Sequence, residues 1–291
     1  MKLLLTGATG FLGSNLAKFL LDNGHSVVVL KRSFSNISRI TDIASKLKFY
    51  DIDCCQIENV FKEQHIDVVI HTATCYGRNN EPFSLIVDTN IIFTLKLLEC
   101  AINFNTDTFF NTDTILNKYL DLYTLSKKQT VEWLKKLASA SKIKIVNMRL
   151  EHLFGTGDNV KFIPWLLSQL KQNVSEIKLT KGEQDRDFIY VDDVVQAYNA
   201  VLNNVDKLEK WTEFDVGTGN PIPLKNFVLE VDRQYKQKYP LNKTKLLFGA
   251  IDYRENEIMK ITIDVSPLKN LGWTAHHNFS SAIEKLLQEE Y

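Results

Sequence analysis

Tyr123 and Lys127 stand four residues apart in "LYTLSKKQTVEWLKK", a stretch with the polarity of an amphipathic helix. On a helix that spacing puts the phenol and the ammonium on one face, one turn apart. An ammonium beside a phenol favours the phenolate, so the tyrosine pKa is expected to fall toward working pH. Such a tyrosine can exchange a proton with a hydroxyl or carbonyl oxygen while hydride moves at the attached carbon. Upstream, "FFNTDT" runs from Phe109-Phe110 into Asn111, Thr112, Asp113 and Thr114. Thr112, at the end of a predicted strand, is placed to hydrogen-bond the same oxygen, and Thr114 is the alternative. Taken alone, the stretch also reads as a strand, a polar loop and a surface helix with a Tyr–Lys contact.

The elements around it decide between these. "KLLLTG" is a continuous apolar run, as a strand buried on both faces should be, and "FLGSNLAKFLLDNG" follows at helical spacing with a glycine stop. "HSVVVLKR", "KLKFYDID", "IDVVIHTAT", "TDTFFNT" and "IKIVNMRL" continue the strands. Between them lie the helical patterns "VFKEQH", "SLIVDTNIIFTLKLLECAINF" and "SKKQTVEWLKKLASAS". Strands alternating with helices predict an α/β fold, a Rossmann-like doubly wound parallel sheet. After Leu150 the pattern loosens into helices such as "DDVVQAYNAVLNNV" and short strands. A smaller C-terminal α/β cap is expected there, over 151–186 and 221–291, with 187–220 returning to a dinucleotide-binding domain of residues 1–150.

"TGATGFLG" joins the first strand to the first helix, with Gly7, Gly10 and Gly13 at the turn, the close approach and the helix–sheet contact. Thr9, Phe11 and Leu12 complete this loop, and the helix N-terminus faces the pyrophosphate of a dinucleotide. The second strand ends in Lys31, Arg32 and Ser33, where an acidic residue would read the ribose of NAD. Two cations suit a 2′-phosphate, so NADP(H) is the expected cofactor. Asp51 and Ile52 would then flank the adenine.

Bulk composition excludes other classes. The 291 residues are 44% hydrophobic and 24% charged with formal net charge zero, so no field draws the chain to nucleic acid or an acidic membrane. The N-terminal apolar run is too short for a signal core, and no stretch suits a bilayer span. Cys54, Cys55, Cys75 and Cys100 and six scattered histidines lack zinc spacing, and reduced thiols in the cytoplasm are expected. His276-His277 reads as a loop pair.

The glycine pattern, the Tyr123–Lys127 pair and "RDFIYVDDVVQAY" together resemble the extended short-chain dehydrogenase/reductases, the nucleotide-sugar-modifying branch of the NAD-dependent epimerase/dehydratase family, over nearly the whole chain. "HTATCYGRNNEP", "FFNTDT", "VNMRLEHLFGTGDNVKFIP", "GEQDRDFIYVDDVV" and "FGAIDYRENEIM" are similar to the bacterial CDP-abequose and CDP-paratose synthase group. That group reduces the 4-keto sugar of a CDP-3,6-dideoxyhexulose with NADPH for lipopolysaccharide O-antigens. The resemblance implies Thr112 as hydroxyl partner, Tyr123 as acid and Lys127 as the lysine that also holds the nicotinamide ribose. It places His71, Thr72, Ala73 and Asn90 beside the cofactor. It places Arg78, Thr112, Asp113, His152, Arg186 and Arg254 toward the sugar nucleotide, in a cleft above the strand ends. A homodimer built on the helix around 85–104 and the Tyr123 helix is implied as well. An epimerase or 4,6-dehydratase that retains NAD, and a non-catalytic NADP-binding protein, remain the alternatives. Dehydratases of this branch carry Asp and then Glu after the threonine, whereas this chain has Asp113 and then Thr114.

Overall fold

A computed structural model describes residues 1–158, 161–255 and 257–290. The chain divides into two compact units, Met1–Leu150 with Tyr198–Asp215, and Glu151–Ala197 with Val216–Tyr291. The returning segment is thus shorter than the expected 187–220. Phe188–Tyr190 pairs in parallel with His152–Phe154, and Trp273 Nε1 donates to the Asp193 carbonyl at 3.1 Å, which keeps residues 187–197 in the second unit.

In the first unit the sheet strands are β1 (Lys2–Thr6), β2 (Ser26–Lys31), β3 (Lys48–Asp51), β4 (Val68–His71), β5 (Thr108–Thr114), β6 (Lys144–Leu150) and β7 (Trp211–Val216). They form a seven-stranded parallel sheet in the order β7-β6-β5-β4-β1-β2-β3. Leu3, Leu4 and Leu5 of β1 have no exposed surface, because helices cover both faces of the sheet. The strand order reverses beside β1, and ligands of such sheets bind at that reversal, outside the strand C-termini. Between β2 and β3 the chain forms a 3-10 run, Ser38–Lys46, where no element was expected.

Two helices carry Asn90 and the Tyr–Lys pair. One runs Phe83–Val87, opens into a wide π turn at Asp88–Ile92, and resumes as Phe93–Asn103. The other, Leu122–Ala140, starts at a capping box. The Asp121 carboxylate accepts from Thr124 N at 2.7 Å, and the Thr124 hydroxyl accepts from Asp121 N at 3.1 Å. That cap fixes Tyr123 in the first turn and turns Lys127 inward.

The second unit carries three two-stranded sheets among its described residues, with helices Phe162–Lys171, Leu224–Lys238, Ser266–Asn270 and Phe279–Glu290. Its core is aromatic: the Phe188 and Phe227 rings stack at 3.8 Å, and Phe154 meets both edge-on. Among the described residues no helix is long and apolar enough to cross a membrane.

Candidate active site

The glycine loop is a cradle that side chains would fill. A Cβ on Gly7 would lie 2.6 Å from Thr72 Oγ1, and one on Gly13 would lie 2.1 Å from the Gly7 carbonyl oxygen. Gly7 also takes a φ of +72°, in the left-handed region. Gly10 caps the helix Phe11–Asp22 without a side-chain bond, while the Phe11 and Leu12 side chains are buried. Backbone therefore faces the position where a pyrophosphate would lie, with Thr9 and Gly10 partly exposed. These residues fit a dinucleotide.

At the end of β2 the two expected cations part company. The Lys31 ammonium bonds Asp51 Oδ1 at 2.5 Å, so its charge is matched internally. Arg32 is exposed, with its guanidinium 4.7 Å from the Phe34 ring centroid. Ser33 gives its N–H and hydroxyl to Asp53 at 2.8 and 2.6 Å. Ile52 extends the β2 contact through its N–H to the Lys31 carbonyl. Of the two cations, Arg32 is the exposed one.

His71 is buried with no exposed surface, and its two nitrogens meet the hydroxyls of Thr6 and Thr94 at 2.8 Å each. The Thr94 hydroxyl donates to the Asn90 carbonyl, so His71 Nε2 carries the hydrogen and Nδ1 accepts from Thr6. Thr6 in turn accepts from the N–H groups of Thr72 and Ala73 at 3.2 Å. His71 therefore fixes the strand end and does not present its ring to a cofactor. Burial first, then the Lys127 charge, pushes its pKa down to about 3. The unfolded chain takes up this proton below about 6.5 and the fold does not, so stability falls as pH drops through that window. Unfolding free energies by urea should decline by up to about 1.4 kcal/mol per pH unit from this group. His71→Gln should remove that share of the slope, and an unchanged slope would count against it.

Asn90 sits in the wide turn and is buried. Its Oδ1 accepts from Cys75 N (2.8 Å) and Thr74 Oγ1 (3.1 Å), and its Nδ2 donates to Cys75 O (2.9 Å) and Ser126 Oγ (2.8 Å). Ser126 then donates to the Tyr123 carbonyl at 2.7 Å. One side chain thus ties the loop after β4 to the helix of the tyrosine. π turns recur at functional sites, and this one aims a fully bonded asparagine at both elements.

Tyr123 and Lys127 share a face as expected, but their acidities differ from expectation. Burial pushes the Tyr123 phenol well above its ordinary value, with Tyr76, Asp113 and Asp121 adding to the rise and Arg78 opposing it. Burial also pulls Lys127 down to about 8, against the support of Asp113. Loss of hydration is the largest cause of both shifts. Tyr123 is therefore held protonated.

Register sorts the "FFNTDT" side chains. Phe110 stacks on Tyr198, and the Thr112 hydroxyl lies 2.7 Å from the Tyr198 hydroxyl. Asn111 and Asp113 point to the opposite face. There Asp113 accepts from Lys128 Nζ at 2.8 Å, and Asn111 donates to Asn147 Oδ1 at 2.7 Å. Asn147 continues to Glu213 at 2.7 Å, and Arg149 pairs with Asp215. Asp113, not Thr112, is the strand residue whose charge bears on Tyr123 and Lys127. Thr114 Oγ1 accepts from Leu116 N at 3.3 Å and shapes the turn. Asn147, Ser126, Tyr198 and Tyr76 went unnoticed in the sequence. The period-two polar pair Asn147 and Arg149 opposite Asn111 and Asp113 was the available signal for the first.

In the second unit, His152 Nδ1 lies 3.1 Å from Glu151 Oε2, and burial pushes the Glu151 carboxyl up. Arg186 is buried. Its guanidinium meets the carbonyls of Asp185 and Ile258 and the carboxylate of Glu257. Arg254, half exposed, bonds the same carboxylate at 2.8 Å. The two arginines expected to meet a diphosphate are thus gathered on one internal acid. Beside them an apolar cavity of about 260 Å³ is lined by Phe162, Trp165, Leu179, Gln184, Val228 and Phe248, among others. Gln184 is buried, and its Oε1 has no hydrogen-bond partner among the described residues.

The model of the NAD dependent epimerase/dehydratase family matches residues 3–217. The CDP-abequose synthase of Salmonella typhimurium is 36% identical over 296 residues, covering 98% of this chain and 97% of that protein. The UDP-glucose 4-epimerase of Thermotoga maritima, solved with UDP-glucose, superposes with a TM-score of 0.82 at 21% identity over 99% of this chain and 98% of its own. The UDP-glucuronic acid 4-epimerase of Bacillus cereus, solved with UDP-glucuronic acid and NAD, gives 0.83 at 22% over 99% and 98%. With its parallel sheet, glycine cradle and Tyr–Lys helix, the chain belongs to the NAD-dependent epimerase/dehydratase family.

Proposed function

We propose that the protein is an NADPH-dependent 4-ketoreductase of a CDP-linked 4-keto-deoxysugar. The observation that carries this is the Tyr123–Lys127 helix face, with Lys127 buried, Tyr123 half-buried and the phenol kept protonated. Bound NADPH would supply hydride to the carbonyl carbon. Tyr123 gives its proton to the carbonyl oxygen, and Lys127 holds the nicotinamide ribose. Asp113 is occupied by Lys128 and buried, which disfavours it as the acid of a dehydratase. The 36% identical CDP-abequose synthase supports the CDP-linked substrate. The aromatic-walled cavity suits a pyrimidine ring, and Gln184 Oε1 suits the exocyclic amine of cytosine. Phe83, Leu85, Val87, Ile92, Leu122 and Trp133 are exposed on the two helices that a homodimer would pair. NADPH with a panel of CDP-, dTDP-, GDP- and UDP-4-keto-6-deoxysugars tests the activity. Net NADPH oxidation with the CDP sugar is expected, and its absence across the panel overturns the proposal.

A second function, an epimerase that keeps NAD, is favoured by one observation: Asp51 neutralises Lys31. Arg32 separates the two. Arg32→Ala should weaken NADPH binding by at least tenfold, the loss of a charged hydrogen bond worth about 1.5–3 kcal/mol, and leave NADH binding unchanged. Lys31→Ala should cost less than Arg32→Ala. Equal affinities of the unmodified protein for NADPH and NADH, by fluorescence titration, would favour the epimerase.

A further inference from the structure

The loop after β4 holds an aromatic ring and a cation against the tyrosine. The Tyr76 ring centroid lies 4.8 Å from that of Tyr123, and the Arg78 guanidinium carbon lies 4.6 Å from the Tyr76 centroid. The placement is built into the backbone. Asn90 grips Cys75 through both its N–H and its carbonyl, immediately before Tyr76. Gly77 takes a φ of +69°, and the left-handed turn brings Arg78 back over the ring two residues earlier. A Cβ on Gly77 would lie 2.8 Å from Ile86 Cδ1, so the turn has no room for another residue type without a shift. The same Asn90 reaches Tyr123 through Ser126. Both tyrosines are therefore set by one asparagine.

We infer that Tyr76 and Arg78 are positioning residues for Tyr123, with the guanidinium supporting the negative charge that Tyr123 acquires when it gives up its proton. This rests on the ketoreductase function proposed above. As hydride arrives at the carbonyl carbon, the C=O π pair moves to oxygen and takes the Tyr123 proton, leaving a phenolate. Asp113 on β5 and Asp121 at the helix cap oppose that anion, as does Tyr76 when ionised. Arg78 on the loop acts in the opposite sense, and Lys127 lies one turn along the same helix. Cation–π contact holds Arg78 in place while its charge acts across the stack.

The test is the reverse reaction, oxidation of the reduced nucleotide sugar by NADP⁺, where the phenolate form of Tyr123 is the reactive one. Rate should climb with pH on the limb below the tyrosine pKa. Arg78→Gln should lower kcat on that limb about two- to fivefold at every pH, as an exposed charge acting over several ångströms does, with the KM of the sugar unchanged. Arg78→Lys should restore most of the loss, which a collapsed loop would not allow. An active wild type whose Arg78→Gln variant keeps its kcat profile overturns the inference. So does a variant that changes only KM, for then Arg78 binds the sugar. A wild type inert toward every sugar overturns the ketoreductase function first, and this role with it.

Discussion

Tyr123→Phe should leave a protein that binds NADPH and the sugar nucleotide normally yet reduces the ketone about 10²–10⁴-fold more slowly, the usual worth of a positioned general acid. Phenylalanine keeps the ring packed on Tyr76 and removes only the hydroxyl. Binding should therefore survive while kcat falls. Single-turnover NADPH oxidation reads the chemical step without product release. The wild type adds a second check. Burial holds the phenol protonated past its ordinary value of 10.0, so the reduction rate should show no tyrosine-linked loss below that pH. A Phe variant with most of its turnover would leave the Tyr–Lys pair a packing contact.

Lys127→Met should produce the opposite sign in stability and activity. The ammonium is 2% exposed, and burial lowers its pKa from 10.5 to about 8. That displacement corresponds to about 3 kcal/mol of unfavourable burial at neutral pH, which an apolar side chain of similar length relieves. Asp113 keeps Lys128 as its partner, so the substitution does not orphan the carboxylate. The variant should unfold at higher urea concentration than the wild type and lose ketone reduction. Between about pH 8 and 10.5 the wild type binds fewer protons folded than unfolded, so its stability rises with pH there. Lys127→Met should lack that rise. A destabilised variant at pH 7 would mean that the ammonium is held by contacts stronger than its desolvation.

Local patterns made the sheet and the Tyr–Lys helix legible. Leu3–Leu5 read as a buried parallel strand because both faces are covered, and Gly7, Gly10 and Gly13 read as a cradle because each lacks room for a Cβ or faces the loop. Partnerships across the fold were not legible. Lys31 with Asp51 and Arg186 with Glu257 pair residues distant in sequence, and spacing carries no record of such a match. The direction of the Tyr123 shift failed for a related reason. An i, i+4 neighbour is visible in sequence, whereas the depth at which both groups lie is set by β5, Tyr76 and the wide turn. The end of the returning segment was missed because Val191–Leu202 has the same helical period whichever unit its ends join.

The wide turn at Asp88–Ile92 is a matter of chain length, and point mutation cannot reverse it. A π turn holds one more residue than an α turn needs, so removing one would close it to an α turn and re-aim the side chains inside it. Asn90 would leave Cys75 and Ser126 together, and both tyrosines would lose their common anchor. Relatives separated from this chain by substitutions alone can drift at Tyr76 or Arg78 while the anchor persists. A lineage that loses a residue there has to rebuild the contact from elsewhere, which makes the local residue count a heritable marker of how this site is held.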